Sequence, residues 1–237
     1  MEYQRIDTVP KTVFDLGMND GKDTRHYLEL GYNVVAVEAD PYLCEQVTKE
    51  LHSYIENGRL EILNTAIADT TGYITFYINK NISHWSSTIK EFATKNGTME
   101  CSEITVPTTT LNTIMKDKGC PEYIKCDIEG MDLTAINQLS LERIVPQYFS
   151  VEDCRLGFNY IEILHSIGYK YFTIVDQSSL PKGSSGNFGL FLTQSWETYN
   201  KFLVTYENTV RGRDLRRKSP SNIWWDIHCM LPIRRDL

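Results

Sequence analysis

Residues 13–21, VFDLGMNDG, decide how the rest of the chain is read. A strand-forming run reaches Asp15 and Leu16, then enters a turn bounded by Gly17 and Gly21. This pattern describes the first βα turn of an open α/β sheet. Ligands of such sheets bind beyond the carboxyl ends of the strands, and glycine lets the backbone bend tightly and approach a ligand. The free N–H groups that begin the next helix add donors to the same place.

The segments on either side keep the same rhythm. Residues 11–17, 33–40, 59–67, 123–130 and 147–154 read as short, β-branched, buried strands. Between them, residues 22–31, 41–58, 131–144 and 158–169 carry helical patterns, with Pro41 opening one helix and Gly31 and Gly168 closing two others. Continuous apolar strands alternating with helices predict an α/β fold: a mostly parallel sheet with helices on both faces. GYITFYIN (72–79) alternates like a hairpin or edge strand, residues 80–103 read as a long loop, and 104–119 as a strand running into a helix. Residues 169–176 and 188–193 are expected to close the sheet as an antiparallel edge, with the Ser/Gly-rich loop 177–189 between them. Residues 1–197 are expected to form the main domain. The partly basic, Trp-containing segment 198–237 reads as a C-terminal extension outside the sheet, lying on or near the site.

Composition excludes some functions. The net charge of −7 over 237 residues argues against a nucleic-acid partner. The start of the chain lacks a secretory pattern, and no apolar run is long enough for a transmembrane segment, so a cytoplasmic protein is expected. Six scattered cysteines with no CxxC pair fit reduced thiols rather than a disulfide scaffold or a zinc site.

The glycine spacing is G-x-x-x-G, not the G-x-G-x-x-G of a dinucleotide site. Asp15, two residues before the first glycine, would repel a pyrophosphate and suits a ligand with an ammonium and a sulfonium. Glu38 ends the second strand, where an acid accepts ribose hydroxyls. NTAIADTTG (64–72) follows the third strand and could edge an adenine. An acid, an adenosine pocket and no phosphate cradle point to S-adenosylmethionine.

FDLGMNDG, VVAVEADP, NTAIADTTG, VPTTTLNTI and EYIKCDIEGMD, in that order, resemble the FkbM-type methyltransferase family over roughly residues 12 to 154. The resemblance implies a Rossmann-like class I methyltransferase fold, a seven-stranded sheet with an antiparallel final strand. It also implies S-adenosylmethionine as methyl donor and an oxygen as the usual acceptor. Carried onto this sequence, it puts Asp15, Gly17, Asn19 and Gly21 in the methionine-side cradle, Glu38 on the ribose, Ala66 and Ile67 beside the adenine, and Asp127 next to the reacting methyl.

Methyl transfer to a hydroxyl needs alignment of acceptor, methyl and sulfur, and a base to take the proton. Asp127 is the first candidate, as base or as binder of the donor's ammonium. Glu129 follows it, and Glu152 and Asp153 end the fifth strand. Together these acids could form a base with its orienting partner or, less favoured, hold a divalent cation through oxygen ligands. His228, with Asp226 as partner, is a second candidate base. His84 beside Trp85 and the basic run 211–218 are candidate acceptor contacts, the latter for an anionic acceptor. The expected acceptor is a hydroxyl of a sugar or glycan precursor. A polyketide or other small metabolite is the nearest alternative, and a non-catalytic cofactor-binding module and a nicotinamide dehydrogenase are the others.

Overall fold

The computed structural model describes residues 11–179 and 195–232. Eight strands form one sheet. In chain order its first three are β1 (Thr12–Leu16), β2 (Asn33–Glu38) and β3 (Leu60–Asn64). A second sheet follows, made of β4 (Ala66–Ile67), β5 (Gly72–Asn79) and β6 (Cys101–Thr109). The large sheet resumes with β7 (Tyr123–Cys126), β8 (Tyr148–Glu152), β9 (Tyr171–Asp176), β10 (Glu197–Thr198) and β11 (Trp225–Met230). Its spatial order is β10-β9-β11-β8-β7-β1-β2-β3.

The helices are α1 (Lys22–Glu29), α2 (Pro41–Glu50), α3 (His52–Glu56), α4 (Lys90–Ala93), α5 (Leu111–Lys118), α6 (Asp132–Leu139), α7 (Gly157–Ile167) and α8 (Tyr199–Thr209). Strand parity decides what each helix covers. Phe14 and Leu16 of β1 point to one face, with Val35, Ile124, Phe149 and Phe172, and pack under α5, α6, α7 and α8. Val13 points to the other face, with Val34, Ala36 and Tyr123, and packs under α1 and α2. Burial on both faces makes these strands continuous apolar runs. Local chemistry agrees: Asp40 caps α2 by accepting the N–H of Tyr42 at 2.9 Å, with Pro41 in the first turn.

Four expectations change. Among the described residues the sheet has eight strands, not seven. Among these residues its longest antiparallel strand is interior, since β11 pairs antiparallel with both β8 and β9, and the edge beside β9 is the two-residue β10. β11 also lies in 198–237, a segment the sequence set outside the sheet; its Asp and His masked a strand that is buried along most of its length. The proposed edge strand 188–193 lies outside the described residues. The loop expected over 80–103 contains a helical turn at Ser83–Trp85, helix α4 and the start of β6. No helix among the described residues is long and apolar enough to cross a membrane.

Candidate active site

A cavity of about 910 Å³ opens at the carboxyl ends of β1, β2, β7 and β8, where antiparallel β11 contributes its first residues. That volume is of ligand-pocket size. The floor is the turn after β1. Gly17 and Met18 donate their N–H groups to the carbonyl of Val37 at 2.9 and 3.0 Å, tying the turn to β2. Gly17 has φ +86°, and its missing Cβ would stand 1.8 Å from the carbonyl oxygen of Asp127. The turn and the end of β7 therefore touch backbone to backbone. Met18 is buried in the core cluster that holds Tyr27 and Val47, and it lines the cavity together with Gly17 and Asn19.

Glu38 is buried beside this floor. One carboxylate oxygen accepts the N–H of Asn19 and the other that of Asp40, both at 2.8 Å. Each oxygen keeps lone-pair capacity, which suits a pair of hydroxyls. Burial raises the Glu38 pKa against the pull of those two N–H groups. Ala66 and Ile67, both buried, form an apolar wall with Phe76 from the small sheet.

At the other end of the cavity Asp127, Glu129 and Glu152 bring carboxylate oxygens within 4.8 Å of one another. Among the described residues this is the one group of three acids close enough to hold a cation. Asp226 joins them, since β11 pairs it directly with Glu152, and Gln177 donates to its carboxylate at 2.7 Å. Burial first, then the charge of Asp127, pushes Glu129 up to about 8. The same causes hold Glu152 and Asp226 well above the carboxylate range. Asp132 shapes the bend that presents these acids by accepting the N–H groups of Ile128 and Gly130, both at 3.1 Å.

The sequence matches the Methyltransferase FkbM domain family over residues 15–177. The chain belongs to the FkbM methyltransferase family. The family is one of methyltransferases, which implies S-adenosylmethionine as donor, and Glu38 and the wall at Ala66 and Ile67 would fit that ligand. No curated protein matches the sequence. Among solved structures, the FkbM methyltransferase of Methylobacillus flagellatus KT is 16% identical, with a TM-score of 0.45 over 73% of this chain and 42% of that one. This chain thus spans less than half the length of that relative. A precorrin-6y C5,15-methyltransferase from Geobacter metallireducens is 9% identical, with a TM-score of 0.44 over 94% and 80% of the two chains. An rRNA methylase from Streptococcus thermophilus is 11% identical, with a TM-score of 0.42 over 94% and 88%.

In this FkbM-family chain the expected residues divide. Gly17, Asn19, Glu38, Ala66, Ile67, Asp127 and Glu152 line the cavity. Asp15 does not. It is fully buried beneath the turn, where the Thr24 hydroxyl donates to it at 2.6 Å, so it supports the cradle from below. Gly21 also stays off the cavity, at the N-cap of α1 against Val47. His228 is fully buried along β11, opposite Ser150 and Thr173, and burial lowers its pKa to about 3. Two residues along a strand carry it about 6–7 Å deeper than Asp226, out of reach of the cavity. Its expected partner, Asp226, is the β11 residue that arrives. Asp153 points away from Glu152, into a salt bridge with Arg211 at 2.7 Å and a hydrogen bond from Tyr206. Arg211 of the basic run is therefore internal structure, while Arg217 lines the cavity together with His84, Trp85 and Trp224.

The acid group has a consequence for stability. Glu129 ionises near 4.5 when unfolded and near 8 when folded. Between those values the folded chain keeps a proton that the unfolded chain releases, so stability falls as pH rises through this window. The melting temperature is expected to drop as pH rises from 4.5 to about 8, and Glu129→Gln should flatten the drop. An equally steep profile in that variant would move the effect elsewhere.

Proposed function

We propose that the chain is an S-adenosylmethionine-dependent O-methyltransferase acting on a hydroxyl of a sugar or glycan precursor in the cytoplasm. The observation that carries this reading is one cavity with two chemically distinct ends: the twice-pinned Glu38 against an apolar wall, and the acids around Asp127. The bound donor supplies a methyl group on a positively charged sulfur. Glu38 would hold the ribose and Ala66 and Ile67 the adenine. Gly17 and Asn19 would cradle the methionine portion.

Asp127 then takes the proton from the acceptor hydroxyl as its oxygen attacks. Glu129 and Glu152, both with raised pKa values, stay neutral near pH 7 more readily than ordinary carboxylates and can donate hydrogen bonds to other acceptor hydroxyls. Polar acids mixed with the indoles of Trp85 and Trp224 favour a polyhydroxylated ring over a wholly apolar metabolite. Arg217 at the wall would meet an anionic group on such a precursor. The acidic net charge continues to speak against a nucleic-acid acceptor.

Calorimetry with S-adenosylhomocysteine, followed by its release from S-adenosylmethionine in the presence of nucleotide-linked and phosphorylated sugars, tests the reading. Binding with turnover on a sugar supports it. Binding with turnover on RNA or an apolar phenol would replace the acceptor, and absence of binding would remove the function. Glu38→Ala should weaken S-adenosylhomocysteine binding by about 1.5–3 kcal/mol, the scale of a hydrogen bond to a charged group. Unchanged affinity in this variant would take the ribose away from Glu38.

A further inference from the structure

Lys125 is a lysine inside the central strand β7, with only 4% of its surface exposed. A buried ammonium is costly unless it is paired. Here it meets four acceptors. Its Nζ donates to the carbonyl oxygen of Gly17 at 3.0 Å. It lies 3.4 Å from Asp15, 3.6 Å from Asp23 and 3.6 Å from Asp127. These acceptors come from β1, from the cradle turn, from α1 and from the segment after β7. Asp226 of β11 adds its charge from a greater distance. Burial alone would lower the Lys125 pKa, yet Asp15, Asp127 and Asp23 outweigh it and hold the pKa above the lysine range.

Asp15 and Asp23 are buried, and Asp127 is the one contacting carboxylate substantially open to the cavity, at 36% side-chain exposure. Lys125 thus stands between the underside of the cradle and the acid that faces the acceptor. We propose that Lys125 is a positioning residue: one buried cation sets the Gly17 turn and the Asp127 carboxylate relative to each other, so that the donor's cradle and the acid beside it are built as a unit. Without that cation the Gly17 carbonyl and three carboxylates would face one another unscreened, and the turn and the end of β7 would move apart. The inference rests on the S-adenosylmethionine reading above.

The test compares K125M, K125R, D15N and the double variant D15N/K125M, using S-adenosylhomocysteine calorimetry and thermal melts in parallel. K125M leaves buried Asp15 without its counter-charge and is expected to melt well below the wild type. D15N/K125M removes one charge of each sign and should recover most of that loss. The decisive figure is affinity at recovered stability. D15N/K125M should bind S-adenosylhomocysteine at least tenfold more weakly than D15N alone, while K125R, which keeps the charge, should stay within about threefold of the wild type. A lysine needed only for folding gives a different result: D15N/K125M would bind as tightly as D15N, and the proposal would fall. It would fall equally if K125R bound as weakly as K125M. A wild-type chain that fails to bind S-adenosylhomocysteine would instead overturn the functional reading, which separates the two failures.

Discussion

Gly17→Ala is expected to abolish detectable binding of S-adenosylhomocysteine and to lower the melting temperature sharply. Two costs coincide at this residue. Its φ of +86° belongs to the left-handed region, which costs a side-chain-bearing residue about 1–3 kcal/mol. The new Cβ would also stand 1.8 Å from the Asp127 carbonyl oxygen, a backbone atom. That oxygen cannot step aside alone, because the N–H of Asp127 donates to Leu16 at 3.0 Å while Gly17 is held by Val37. Relief requires the ends of β1, β2 and β7 to separate, and these ends are the cavity floor. Gly31→Ala is the control: its φ is +95°, but nothing lies within 4 Å of the added carbon. It should show the conformational cost without the loss of binding. A Gly17→Ala variant that binds like the wild type would place the donor elsewhere.

Asp127→Asn is expected to reduce turnover by about 10²–10⁴-fold, the range for loss of a general base, with donor affinity changed far less. Asparagine keeps the size of the side chain but cannot accept the acceptor's proton. Single-turnover rates with saturating donor, set beside S-adenosylhomocysteine affinity, separate the two effects. If turnover persists and affinity collapses, Asp127 is a binding group for the donor. If both persist, the base is sought in Glu152 or Glu129, whose oxygens lie within 4.8 Å of that of Asp127.

Much of this architecture is visible in the sequence because parallel strands buried on both faces must be apolar throughout. Val13–Leu16 and Asn33–Glu38 could hardly be read otherwise, and the glycines between them mark the turn. Strand parity is harder to read. Glu152 and Asp153 are neighbours in sequence, yet successive strand side chains point to opposite faces, so one enters the cavity and the other meets Arg211. The same ambiguity hid the fate of Asp15. β11 escaped notice because WDIHCM contains two polar residues that a buried strand seldom carries. Asp226 is tolerated at the cavity rim, and His228 as a neutral imidazole in the interior. Lys125 sits in EYIKCDIEGMD, but a lone strand lysine reads as solvent-facing. Only folding brings Asp15, Asp23 and Asp127 to it from three parts of the chain.

The place of β11 carries a consequence for how the protein is made. This strand slots between β8 and β9, although its first residue is 73 positions beyond the end of β8 (225 − 152). Until it emerges from the ribosome, β8 and β9 each show an unpaired inner edge, and Asp226 is missing from the acidic wall. Closing so long a loop is slow, so the nascent chain passes through a stage with an open, adhesive slot in mid-sheet. The slot closes, and Asp226 takes its place beside Glu152, only once the strand that fills the gap has been made.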